Sequence, residues 1–203
     1  NWLVQVNAQA GHPLFGHVDV NNVFVGGHSR GGGATHASHV RSQPYLVGGS
    51  GRDPIEIRGV VYFMAFDLRS FNSTIAGNAT VYPVPTDQSR LPSLLIAAEN
   101  DRDLFYPICD QFIERATGPA TFATIYGGCH NYMTDSSNPE PDYSSQGIAP
   151  PYITRSQQQE RAFNLVVAFI RRWANLDLSL EGLLYNNELA GSDEVGVTAW
   201  RNM

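Results

Sequence analysis

A serine flanked by glycines, Gly27-His28-Ser29-Arg30-Gly31, stands between a short β-branched and aromatic run from Val20 to Val25 and helix-compatible sequence reaching Arg41. A serine hydroxyl is a weak nucleophile until a neighbouring base takes its proton. A tight strand-to-helix turn leaves such a hydroxyl standing clear of the chain, and glycines two positions either side of the serine allow the backbone to turn that sharply. The backbone N–H of the following residue, Arg30, would head the helix and donate to an oxyanion formed beside the serine. Read without chemistry, the same residues are a Gly-rich turn carrying a solvated serine. The strand before and the helix after favour the nucleophile.

A nucleophilic serine calls for a base, and the base for an acid that orients it. Ala98-Glu99-Asn100-Asp101 closes the apolar run Leu94 to Ala98, which makes Asp101 the expected acid. Asp103 could take the role if the loop winds differently, although it better suits capping a helix that starts near Tyr106. Gly127-Gly128-Cys129-His130 closes the next strand-like run, Ala120 to Tyr126, and makes His130 the expected base. Each of the three lies just past the C-terminal end of its own strand, where open α/β sheets put their sites, and the order Ser, Asp, His is one that this chemistry uses. In that arrangement His130 removes the Ser29 proton during attack on an acyl carbon. Asp101 holds the imidazole tautomer and offsets its charge, and water then releases the acyl group. No cofactor or metal is called for.

Other reactive types have blander readings. His36 and His39, three apart on the helix after the serine, have the spacing of metal ligands, but no carboxylate or cysteine accompanies them. Cys129 beside His130 suggests a thiol mechanism, yet the serine already supplies a nucleophile, so a structural role fits better. The chain has two cysteines, Cys109 and Cys129, too few for a disulfide framework, and whether they pair stays open.

The elements that would position these residues alternate between strand and helix. Gly59 to Phe66 and Leu94 to Ala98 are near-continuous apolar runs, as expected of parallel strands covered on both faces. Tyr106 to Ala116 has helical spacing, and Ser156 to Ala174 is an amphipathic helix with Phe163, Val166, Val167, Ile170 and Trp173 expected on its apolar stripe. Residues 67–90 and 134–151 read as irregular excursions. The fold class predicted is α/β, a mostly parallel sheet flanked by helices. Residues 1–174 would form the catalytic domain and residues 175–203, of weak periodicity, a C-terminal extension that leads toward a further segment.

Composition excludes several partners. A formal charge of −6 with scattered acidic residues offers nothing to a phosphate backbone or an anionic membrane surface. All thirteen basic residues are Arg, which reads as genome composition and not as chemistry. The longest apolar stretches fall far below the roughly 20 residues needed to span a bilayer. Asn72-Ser73-Thr74 and Asn78-Ala79-Thr80 match the glycosylation acceptor pattern, and on that basis a secreted or extracytoplasmic location is expected.

Taken together, Gly27-His28-Ser29-Arg30-Gly31-Gly32, Glu99-Asn100-Asp101 and Gly127-Gly128-Cys129-His130 resemble the bacterial dienelactone-hydrolase, polyester-hydrolase and chlorophyllase-like branch of the α/β-hydrolases over about Val20 to Ala174. The resemblance implies a carboxylic ester hydrolase acting on a small or polymeric ester, with acid and base at Asp101 and His130. It carries no disulfide over, because the bridges of the polyester hydrolases fall elsewhere than Cys109 and Cys129. It also implies several strands before the one that carries the nucleophile, whereas only Asn1 to Asp19 precede it here, with Trp2, Leu3, Val6 and Ala10 reading as the helix before that strand. The expectation is thus the C-terminal half of such a fold, completed by an upstream segment that supplies the second oxyanion donor. A peptidase of the prolyl-oligopeptidase kind shares the order of the three residues, and a non-catalytic binding or assembly module shares the fold.

Overall fold

Strands form where short runs are dominated by apolar and β-branched residues, because such runs are best buried between two layers. In the computed structural model, which describes residues 2–35, 57–65, 91–101, 116, 118–134, 153–185 and 195–201, these runs are β1 (Val23–His28), β2 (Ile57–Phe63), β3 (Ser93–Ala98) and β4 (Ala120–Ile125). They pair side by side in chain order and all in parallel, with His28 opposite Phe63, Phe63 opposite Ile96, and Ala98 opposite Ile125. A fifth strand, β5 (Val195–Arg201), runs antiparallel along the outer side of β4. The fold is therefore of the α/β class, with the C-terminal ends of four strands brought to one edge.

Successive residues of β2, β3 and β4 serve opposite faces. Val60, Tyr62, Leu95, Ala97 and Phe122 pack on one side, whereas Val61, Leu94, Ile96, Ala123 and Ile125 pack on the other. The second face is covered by the long helix Arg155–Ala174, labelled α3 because α1 (Trp2–Asn7) and the helical residues 30–35 (α2) precede it. Its start is fixed by Thr154, whose hydroxyl accepts from the Gln157 N–H while the Gln157 side chain accepts from the Thr154 N–H, a reciprocal cap. It docks through Phe169, which meets Phe24 edge to face at 5.9 Å above Gly59; a Cβ at Gly59 would lie 2.9 Å from the Phe24 ring.

The face of α3 that turns inward is not the expected one. Gln158, Ala162, Leu165, Phe169 and Arg172 are buried, while Phe163 and Val167 are 66% and 51% exposed, and Val166 and Trp173 are only partly covered. The bulkiest apolar residues misled because two polar side chains hold inward positions, each with a partner: Gln158 bonds the Cys129 backbone, and Arg172 reaches Glu181 and lies 4.5 Å over the Trp173 ring. Residues 175–203, read as an extension, contribute α4 (Glu181–Tyr185) and β5. Leu184, Tyr185 and Val195 join the second core cluster, and the Thr121 hydroxyl donates to the Leu184 carbonyl. The helix expected over Tyr106 to Ala116 lies outside the described residues save Ala116, which is buried. Helix α1 is shorter than the Trp2 to Ala10 pattern suggested, and the Asn7 side chain ties it to the chain entering β1 by bonding both the N–H and the C=O of Val18 at 2.9 Å.

Candidate active site

Ser29 follows β1 directly with φ +54°, in the left-handed region that costs a non-glycine residue about 1–2 kcal/mol. Its own N–H continues the sheet by donating to Phe63 at 3.0 Å, and its carbonyl accepts from Gly32 and Gly33 at 3.0 and 3.2 Å, so strand becomes helix within one residue. Gly27 permits the turn, for a Cβ there would stand 2.5 Å from the Gly31 carbonyl. Gly31 does not share that role: among the described residues a Cβ on it would meet no atom within 4 Å. The close approach is at Gly32, where a Cβ would be driven into the Ala65 methyl and lie 2.8 Å from the Gly27 carbonyl oxygen. The pattern of spaced glycines thus located the turn and named one of its two sterically required glycines. Arg30 N–H belongs to the first turn of α2, whose leading N–H groups have no intrahelical carbonyl to bond.

Past β3, the chain from Glu99 to Asp101 is laid against the chain past β4 residue by residue. Glu99 N–H donates to the Ile125 carbonyl and its carboxylate accepts from Gly127 N–H at 2.9 Å; Asn100 N–H donates to the Gly128 carbonyl at 2.9 Å. Gly127 has φ +71°, which favours glycine there. Next, Cys129 is held by Gln158, and His130 is met by Asp101, whose Oδ2 lies 2.8 Å from Nδ1. Asp101 and His130 are only 8% and 3% exposed, so their charge-assisted bond sits in a medium that screens it little. A carboxylate only accepts, so Nδ1 carries the proton and Nε2 of the neutral ring keeps its lone pair.

His28 joins this pair to the serine turn. Its ring lies 4.5 Å from that of His130 at 43°, and its Nε2 donates to the His130 carbonyl at 3.1 Å. The structure therefore brings Asp101 and His130 into direct contact and sets the residue before Ser29 against the imidazole. Asp103, His36, His39 and Cys109 lie outside the described residues, and Cys129 is buried. Among the described residues no group of three or more His, Cys, Asp and Glu could hold a metal, and no helix is long and apolar enough to cross a membrane.

Sequence reasoning passed over His28, Glu99, Gln158 and Gly32. His28 occupied a position where any residue is allowed, Glu99 was only the neighbour of the expected acid, and Gln158 was a polar letter in a helix read for its apolar ones. Elsewhere Tyr185 is buried beside the Trp173 indole, which donates to its hydroxyl at 3.0 Å; burial, partly offset by that bond, raises its phenol above the ordinary tyrosine value. Compared with known families and with curated proteins, the chain finds no counterpart, for no family model matches it and no curated protein aligns significantly with it.

Proposed function

We propose that the protein is a serine hydrolase of the α/β-hydrolase type that cleaves carboxylic esters through an acyl-enzyme. The observation that carries the reading is the buried Asp101–His130 hydrogen bond at the strand ends, with the imidazole packed on the residue that precedes a serine in left-handed conformation. In this reading Ser29 attacks the acyl carbon and His130 Nε2 takes its proton. Asp101 keeps Nδ1 protonated and offsets the imidazolium charge, and His130 then returns the proton to the leaving alkoxide. Water, deprotonated by the same nitrogen, releases the acid. The Arg30 N–H is one oxyanion donor.

Preference for esters over amides rests on the likeness of the three motif loops to dienelactone and polyester hydrolases. Among the described residues β1 pairs with β2 alone, and its residues are mostly half-buried where those of β3 and β4 are fully buried. That difference supports a neighbouring segment on the far side of β1, the side from which a second oxyanion donor would come. The test is a fluorophosphonate probe, read by mass spectrometry, beside turnover of a short activated ester and its matching anilide. Labelling of Ser29 with ester turnover is expected. A folded full-length protein that neither labels nor turns over ester would overturn the proposal.

A further inference from the structure

We propose that Gln158 is the positioning residue for the base, acting on His130 through the peptide unit of Cys129; this rests on the hydrolase reading given above. Gln158 is the first inward residue of α3 and is completely buried. Its Oε1 accepts from the Cys129 N–H and its Nε2 donates to the Cys129 carbonyl, both at 2.8 Å, with the Met64 sulfur 4.0 Å from the same nitrogen. One orientation of the amide alone satisfies a donor and an acceptor at once, so the pairing has a fixed sense. The amide serves Cys129 as a neighbouring strand would, at a point where β4 has ended and no ladder continues.

The fit is shaped from both sides. A Cβ on Gly128 would lie 2.8 Å from Gln158 Oε1, so the glycine leaves the room that the amide fills. Cys129 is the last residue before His130, and its extended backbone (φ −140°, ψ 167°) sets the direction in which the imidazole leaves the chain. Releasing Cys129 would let that direction swing and lengthen the 2.8 Å contact with Asp101. Gln158 meets no reacting group, and its effect is confined to orientation. A misplacement of an ångström costs up to about 10²-fold in rate, and the base as a whole supplies about 10²–10⁴-fold.

Two shape-preserving substitutions in the full-length protein test this. Gln158→Met removes donor and acceptor together, and kcat for the activated ester is expected to fall about 10–100-fold with KM unchanged, since orientation of the base matters in the transition state and little in binding. The strongly deshielded proton resonance of His130 Nδ1–H, assigned by its loss in Asp101→Asn, is expected to disappear through faster exchange. Gln158→Glu keeps the acceptor and can donate only when protonated. Complete burial, with the Cys129 carbonyl oxygen facing the new carboxyl, raises the pKa of the new group. The ratio of Q158E to wild-type kcat should therefore rise as pH falls. A folded Q158M with wild-type kcat and the resonance intact would overturn the proposal, as would a Q158E ratio that does not change with pH, the measurement that decides if Q158M does not fold. Absence of turnover and labelling in the wild type would count against the hydrolase reading, and the Nδ1 resonance would still decide the role of Gln158.

Discussion

Replacing Gly32 and Gly31 by alanine, one at a time, should move stability in opposite directions. At Gly32 the added carbon is forced against the Ala65 methyl, deep inside the about 3.5–4.0 Å at which carbons rest, and comes within 2.8 Å of the Gly27 carbonyl oxygen. Neither obstacle yields cheaply. Ala65 is fully buried in the first core cluster, and the Gly27 carbonyl is part of the turn itself. Forcing extra volume into such a site costs about 1–3 kcal/mol, with the upper end expected where one obstacle is backbone. At Gly31 the new methyl meets nothing within 4 Å among the described residues and stands exposed on α2, so the gain is the helix preference of alanine over glycine, up to about 1 kcal/mol. Urea unfolding of the two variants beside the parent, with the slope checked for constancy, reads both changes as shifts of the midpoint. Equal losses at the two positions, or a larger loss at Gly31, would refute the steric account of the turn.

Ser29→Ala should abolish ester turnover and probe labelling while leaving the unfolding midpoint near that of the parent, as kinetics and denaturation together will check. Asp101→Asn should lower kcat by about 10⁴-fold, because an amide can no longer fix the Nδ1-protonated tautomer, while Asp103→Asn should have a far smaller effect; comparing the two rates tests the choice of acid. For Tyr185 the folded phenol is raised above its unfolded value, so the stability it contributes is present below the ordinary tyrosine range and is lost as pH rises through the folded pKa. Denaturation midpoints followed above about pH 9 should therefore fall less steeply in Tyr185→Phe than in the parent.

β2, β3 and β4 were legible because burial on both faces favours apolar residues, as Leu94 to Ala98 records directly, and β1 because glycines end a short β-branched and aromatic run. The loops bearing Ser29, Asp101 and His130 were legible too, since glycine or an acidic cluster marks the end of each run. What escaped notice depends on partners distant in sequence. Gly32 rather than Gly31 is the tight position because Ala65, on the loop after β2, comes up against it. The inward face of α3 was misjudged because Gln158 and Arg172 are buried by virtue of hydrogen-bonding partners that no periodicity announces. β5 left a weak trace because, among the described residues, it pairs with β4 alone, in the antiparallel sense, and needs no continuous apolar run.

The contact between His28 and His130 has a consequence for how this site could drift or be redesigned. Because one ring rests on the other and also bonds its carbonyl, the identity of residue 28 and the placement of residue 130 are a single heritable trait spread over two distant stretches of chain. A library that varies residue 28 alone would disturb the placement of His130, even though the proposed proton transfers do not involve that side chain. Varied jointly with 129 and 158, the same position becomes a means of re-aiming the imidazole relative to Ser29 in the proposed mechanism.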